Sequence, residues 1–131
     1  LPREKKKLYD LIDEKNIREV IFLSGDRHSG GIYNEITNKG IRLYEITSSS
    51  LNLPGAAWVT KYKGKERPPE PGPNRINSLY QWENYGFIEI TENKIQLSLK
   101  DIKGKPVNSI NINYRPLGNS LKGTDLSTLT S

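Results

Sequence analysis

The chain has 131 residues, 20 basic and 15 acidic, and a formal net charge of +5. The excess is mild and no run of like charge is longer than Lys5-Lys6-Lys7, so nucleic acid is permitted but not indicated. The absence of cysteine excludes disulfides, thiolate metal sites and cysteine nucleophiles, and no apolar run approaches the roughly 20 residues of a membrane helix.

By size this is one domain or a piece of a larger one. It opens Leu1-Pro2 with no apolar signal core, so any targeting segment is expected either to lie upstream or never to have existed. Over residues 2 to about 16, Leu8, Leu11, Ile12 and Tyr9 follow the three-and-four spacing of an amphipathic helix, with Pro2 in its first turn and the three lysines on a solvated face. The unbroken run Val20-Ile21-Phe22-Leu23 then predicts a strand buried on both faces, as in a parallel or mixed sheet covered by helices. A helix feeding such a strand is half of an α/β unit.

Residues 41–47 predict a second strand, with Ile41, Leu43 and Glu45 on one face and Tyr44 and Ile46 on the other. It ends in the loop signal Ser48-Ser49-Ser50. From 53 to 80 the chain reads as irregular, with Pro68-Pro69-Glu70-Pro71-Gly72-Pro73 at its centre, which predicts a functional surface loop or a disordered one. Lys61, Lys63, Lys65, Arg67 and Arg75 in it outnumber Glu66 and Glu70, and Trp58, Tyr62 and Tyr80 are interleaved. Three alternating segments follow, around 87–90, 95–99 and 107–112, separated by Glu92-Asn93 and by Lys103-Gly104-Lys105-Pro106. They predict an antiparallel meander. Residues 115–131 have no clear period and are expected to form a loosely ordered tail after a domain of 1–114.

Ser24-Gly25-Asp26-Arg27-His28 stands at the carboxyl end of the first strand, where open α/β sheets bind ligands. Asp-x-His on one short loop lets a carboxylate and an imidazole reach one centre or two neighbouring ones, with Gly25 permitting a sharp turn beneath them. Spacing alone leaves the alternative open that His28, the single histidine, is a satisfied polar residue after a strand.

The wording around this loop resembles a known family. VIFLSGDRH at 20–28, LYEITSSSLN at 43–52 and NYGFIEI at 84–90, in order after the helix LPREKKKLYDLI, are similar to the C-terminal part of the alkaline phosphatase D (PhoD-like) family of calcineurin-like metallophosphoesterases. The resemblance implies an α/β fold of mixed sheets, the C-terminal part of an αββα sandwich, and hydrolysis of phosphate mono- or diesters by metal-bound hydroxide. Carried over by residue, it makes Asp26 and His28 metal ligands in a multinuclear site. A carboxylate in place of an imidazole there suits iron and calcium, with zinc or manganese as other candidates. It further implies a periplasmic or secreted protein, and remaining ligands in an N-terminal part of the same protein or in a separate partner chain, because the family's earlier Gly-Asp and Gly-Asn-His motifs are not found ahead of Gly25-Asp26 in these residues.

Other residues admit two readings each. Arg27 either contacts a substrate phosphate or forms a structural ion pair. Ser24 and the 48–50 triplet either donate to ligands or cap loop backbone. Glu45 either accepts from the His28 ring as support for the metal loop or pairs with Arg42. Asn84-Tyr85-Gly86 reads as packing, with Gly86 allowing close approach at a strand start. The competing function is a non-catalytic basic module in which loop 58–80 binds an anionic polymer.

Overall fold

The computed structural model describes residues 2–48, 51, 54 and 72–114. Seven strands and one helix lie among them: α1 (Pro2–Glu14), β1 (Val20–Ser24), β2 (Gly30–Ile36), β3 (Arg42–Thr47), β4 (Arg75–Tyr80), β5 (Asn84–Ile90), β6 (Lys94–Asp101) and β7 (Pro106–Asn113).

Helix α1 starts on Pro2, whose missing N–H costs nothing at a first turn, and carries Glu4 near the positive end of its dipole. It stops at Asn16, which takes the left-handed conformation (φ 50°). The Asn16 amide donates to the Asp13 carbonyl and the Ile17 amide to the Ile12 carbonyl, at 3.2 and 3.0 Å, a Schellman closure of the last turn. Tyr9 and Ile12 pack against Val20, Phe22, Ile41 and Leu43. Leu8 and Leu11 are 43% and 46% exposed, so the helix is rotated from the expected orientation and these two leucines lie on its flank.

Buried Asp13 fixes that rotation. It accepts from the Thr37 hydroxyl and from the Lys39 amide, tying the end of α1 to the turn between β2 and β3. Thr37 in turn accepts from the Ile41 amide at 3.0 Å, and Gly40 (φ 86°) closes the turn.

The first sheet has the order β1-β3-β2-β4. β1 runs parallel to β3, Val20 opposite Leu43 through Ser24 opposite Thr47; β2 is antiparallel to both β3 and β4. The helix feeding β1 and the parallel pairing of β1 with β3 agree with a mixed α and β fold, but the chain passes from β1 to β3 through strand β2 and not through a helix. Two strands depart from the expected pattern: β2 occupies residues for which the sequence predicts no element, and β4 is regular structure inside the stretch read as irregular. β1 also departs, because it is an edge strand with β3 as its neighbour among the described residues, and Leu23 is 70% exposed rather than buried on both faces.

The second sheet, β5-β6-β7, is the expected antiparallel meander, with Gly104 (φ 83°) in its second turn. Its inner face brings Ile95, Leu97, Leu99 and Ile112 against Ile32 and Ile46 of the first sheet, the main core of the domain. Alternation fixes the register, since a slip of one residue would turn Leu97 and Leu99 to solvent. The outer face is polar, with the Ser98 and Ser109 hydroxyls 3.0 Å apart and the Lys100 ammonium 4.0 Å from the centre of the Phe87 ring. The fold is therefore mixed α and β, two stacked sheets with α1 on the outside of the first. Among the described residues no helix covers the second sheet. No helix among the described residues is long and apolar enough to cross a membrane. The tail 115–131 lies outside the described residues.

Candidate functional site

The parallel register of β1 and β3 puts Ser24 and Thr47 side by side at the carboxyl ends of both strands. The chain leaves β1 there through Gly25 and returns into β2 at Gly30. In between, Asp26 (φ 63°) and His28 (φ 53°) both adopt the left-handed conformation, and Asp26, Arg27 and His28 are all exposed. A non-glycine residue in that region is held at a cost of about 1–2 kcal/mol, so two in one loop require firm anchors on either side.

The anchors are visible. Ser29 is fully buried and its hydroxyl donates to the Arg27 carbonyl at 3.2 Å. Gly30 lies against Asn84, where a Cβ would stand 2.7 Å from Oδ1. Asn84 is itself fully buried, accepts from the Ser48 hydroxyl at 2.8 Å and donates to the Trp82 carbonyl at 2.7 Å. The Ser48 amide closes the ring by donating to the Ser24 carbonyl at 3.1 Å. The close approach expected at Gly86 thus occurs at Gly30; a Cβ on Gly86 would make an ordinary 3.4 Å contact with Ile46.

Ser24 donates to a carboxylate oxygen of Glu45 at 2.5 Å. That bond, rather than an Arg42 pair, is what holds Glu45 beside the loop. Arg27 places its guanidinium 5.7 Å from the centre of the Tyr33 ring. Tyr33 and Thr47 carry buried hydroxyls without a hydrogen-bond partner among the described residues, Thr47 being fully buried at the carboxyl end of β3. Neither residue stands out in the sequence, because their approach to the loop depends on strand register and not on spacing. Ser49, Ser50, Trp58, Tyr62 and the lysines of loop 58–80 lie outside the described residues; Arg75 and Tyr80 belong to β4.

A second polar group lies deeper, between α1 and β2. Glu35 accepts from Lys5 and from Asn74, each at 2.7 Å, and from the Tyr9 hydroxyl. Burial pushes Glu35 up, but the donors Lys5, Tyr9 and Asn74 together with the Lys5 charge outweigh it, and its pKa falls below the ordinary carboxylate value. Burial, then the bond to Glu35 and the charges of Glu35 and Glu45, push Tyr9 far above the ordinary phenol value.

The arrangement offers one carboxylate and one imidazole on an exposed, conformationally held loop at the carboxyl end of a parallel strand pair. That donor set fits a hard or borderline cation in type and is too small to enclose one. Among the described residues no third Asp, Glu, His or Cys gathers with them into a metal cluster. In comparison with known proteins, no family model matches the chain and no curated protein matches it.

Proposed function

We propose that this chain supplies the last metal-binding segment of a metal-dependent phosphoesterase, with Asp26 and His28 as ligands. The single observation carrying this reading is the 24–28 loop: an Asp-x-His pair held in left-handed conformation at the carboxyl ends of two parallel strands, tied down on both sides. Strain at exposed polar residues is a mark of a working loop when the surroundings enforce it, as Ser29, Gly30 and Asn84 do here. The resemblance of the 20–28, 43–52 and 84–90 segments to PhoD-like enzymes supports the same reading and implies iron and calcium as the metals.

When bound, the metals would supply Lewis acidity to the phosphate ester and to the attacking water. The residues of this chain have narrower tasks. Asp26 and His28 bind the cation. Ser24 and Glu45, linked at 2.5 Å, hold the strand end from which the loop departs. Arg27, whose guanidinium rests on the Tyr33 ring, would contact a phosphate oxygen. The remaining ligands belong, on this reading, to an N-terminal part of the same protein, and the substrate is a phosphate mono- or diester.

The test is hydrolysis of a chromogenic phosphate ester by the full-length protein. His28→Ala is expected to abolish chelator-sensitive hydrolysis while the far-UV circular dichroism stays unchanged. Undiminished hydrolysis by that variant would overturn the assignment.

A further inference from the structure

A cavity of about 550 Å3 opens between α1 and the first sheet, within the size range of small-molecule sites. Its walls are apolar and aromatic, from Leu8 and Tyr9 on α1, Phe22 and Leu23 on β1 and Tyr33 on β2. Tyr9 and Phe22 stack, with ring centres 6.4 Å apart. The cavity reaches Ser24, two positions before Asp26. Tyr33 joins cavity and loop directly, since it lines the one and carries Arg27 of the other.

The charges facing this space are unequal. Among the described residues that line it, three carboxylates, Glu4, Glu35 and Glu45, face one ammonium, Lys5. Lys5 is engaged by Glu35 at 2.7 Å. Glu45 differs: its carboxylate accepts from the Ser24 hydroxyl, and no Lys or Arg among the described residues pairs with it. It is half-buried on β3, where water screens a charge less than at the surface. A carboxylate among aromatic faces favours an organic cation, which gains from the charge and from the ring quadrupoles together. The rings already attract the protein's own cations at the rim, Lys5 lying 5.2 Å from the centre of Tyr9 and Arg27 lying 5.7 Å from that of Tyr33.

We propose that this cavity takes the alcohol part of the phosphate ester and that this part bears a substituted ammonium, as an amino alcohol does. The proposal rests on the metal-loop reading for the phosphate end. The ammonium lies against Glu45 with Phe22 and Tyr33 as walls, and the phosphate projects past Ser24 towards Asp26, Arg27 and His28.

Calorimetric titration of the full-length protein with choline and with its neutral carbon isostere, 3,3-dimethylbutanol, tests this without reference to hydrolysis. Choline is expected to bind about tenfold more tightly, the scale of a partly desolvated cation–π and charge contact. Glu45→Gln is expected to reduce that preference to about twofold or less, and Phe22→Leu, a second variant of similar volume, to weaken choline more than the isostere. Equal affinity for the two ligands, or a preference that survives Glu45→Gln, overturns the proposal. His28→Ala separates the two readings: hydrolysis that survives in it defeats the metal assignment, whereas loss of choline preference in Glu45→Gln bears only on the cavity.

Discussion

Replacing Gly30 by Ala probes the junction on which the Asp26–His28 loop rests. A methyl group there would stand 2.7 Å from Asn84 Oδ1, 3.0 Å from its Cγ and 3.1 Å from Leu99 Cδ1. Gly30 is not among the residues with positive φ, so alanine meets no backbone strain and the whole effect is contact. Asn84 cannot retreat cheaply, because it is fully buried and both ends of its amide are engaged, by Ser48 at 2.8 Å and Trp82 at 2.7 Å. Leu99 is fully buried as well. Overpacking of this kind costs about 1–3 kcal/mol, which lowers Tm by about 5–15 °C in a domain of this size. Thermal unfolding followed by circular dichroism measures it. A double-mutant cycle with Asn84→Ala isolates the cause: with the amide gone the methyl group has room, so the coupling should exceed about 1 kcal/mol, where independent sites add to within roughly 0.5. An unchanged Tm for Gly30→Ala, or additive effects in the cycle, would refute the reasoning.

Three further outcomes follow from other parts of the molecule. Glu35 releases its proton at lower pH in the folded chain than in the unfolded one, so its contribution is full above the ordinary carboxylate range and is lost as pH falls through the depressed folded value. The unfolding free energy of the unmodified chain should therefore fall more steeply than that of Glu35→Gln between about pH 5 and pH 3, by less than about 1 kcal/mol because Lys5 is half-exposed; parallel curves in urea denaturation would contradict this. Asp13→Ala leaves the Thr37 hydroxyl and the Lys39 amide without their acceptor and should lower stability in urea by about 1–3 kcal/mol, an unchanged midpoint being the contrary result. Asp26→Gly and His28→Gly relieve left-handed strain but loosen the unfolded chain, so stability should stay within about 1 kcal/mol of the parent. A loss above roughly 2 kcal/mol in urea denaturation would mean that these side chains serve the fold.

The strands legible in the sequence are those marked by a continuous apolar run or a clean alternation. The Val20-Ile21-Phe22-Leu23 run announces a strand by its length and composition, although that strand is only partly buried, and the Ile95, Leu97, Leu99 alternation announces one by its period of two. β2 is hidden because it opens on Gly30-Gly31 and its faces mix types: Ile32 packs in the core while Tyr33 and Glu35 turn towards α1, Glu35 with polar partners. β4 is masked by the prolines just before it. The flank position of Leu8 and Leu11 is set by the Asp13–Thr37 tie, a contact 24 residues apart that helical spacing does not encode. The edge position of β1, and with it the exposure of Leu23, depends on which strands are neighbours rather than on the strand itself. At the site, the Asp26 and His28 pair is legible because both lie on one short loop. Tyr33, Thr47 and Asn84 are not, because register across β1, β2 and β3 and the stacking of the second sheet bring them there.

Metal content per chain in the full-length protein, measured by mass spectrometry beside hydrolysis of the same samples, tests the assignment of Asp26 and His28 most directly. The account predicts that Asp26→Asn and His28→Ala each lose bound metal and hydrolysis together while keeping the fold. Full metal content and full hydrolysis in both variants would contradict it.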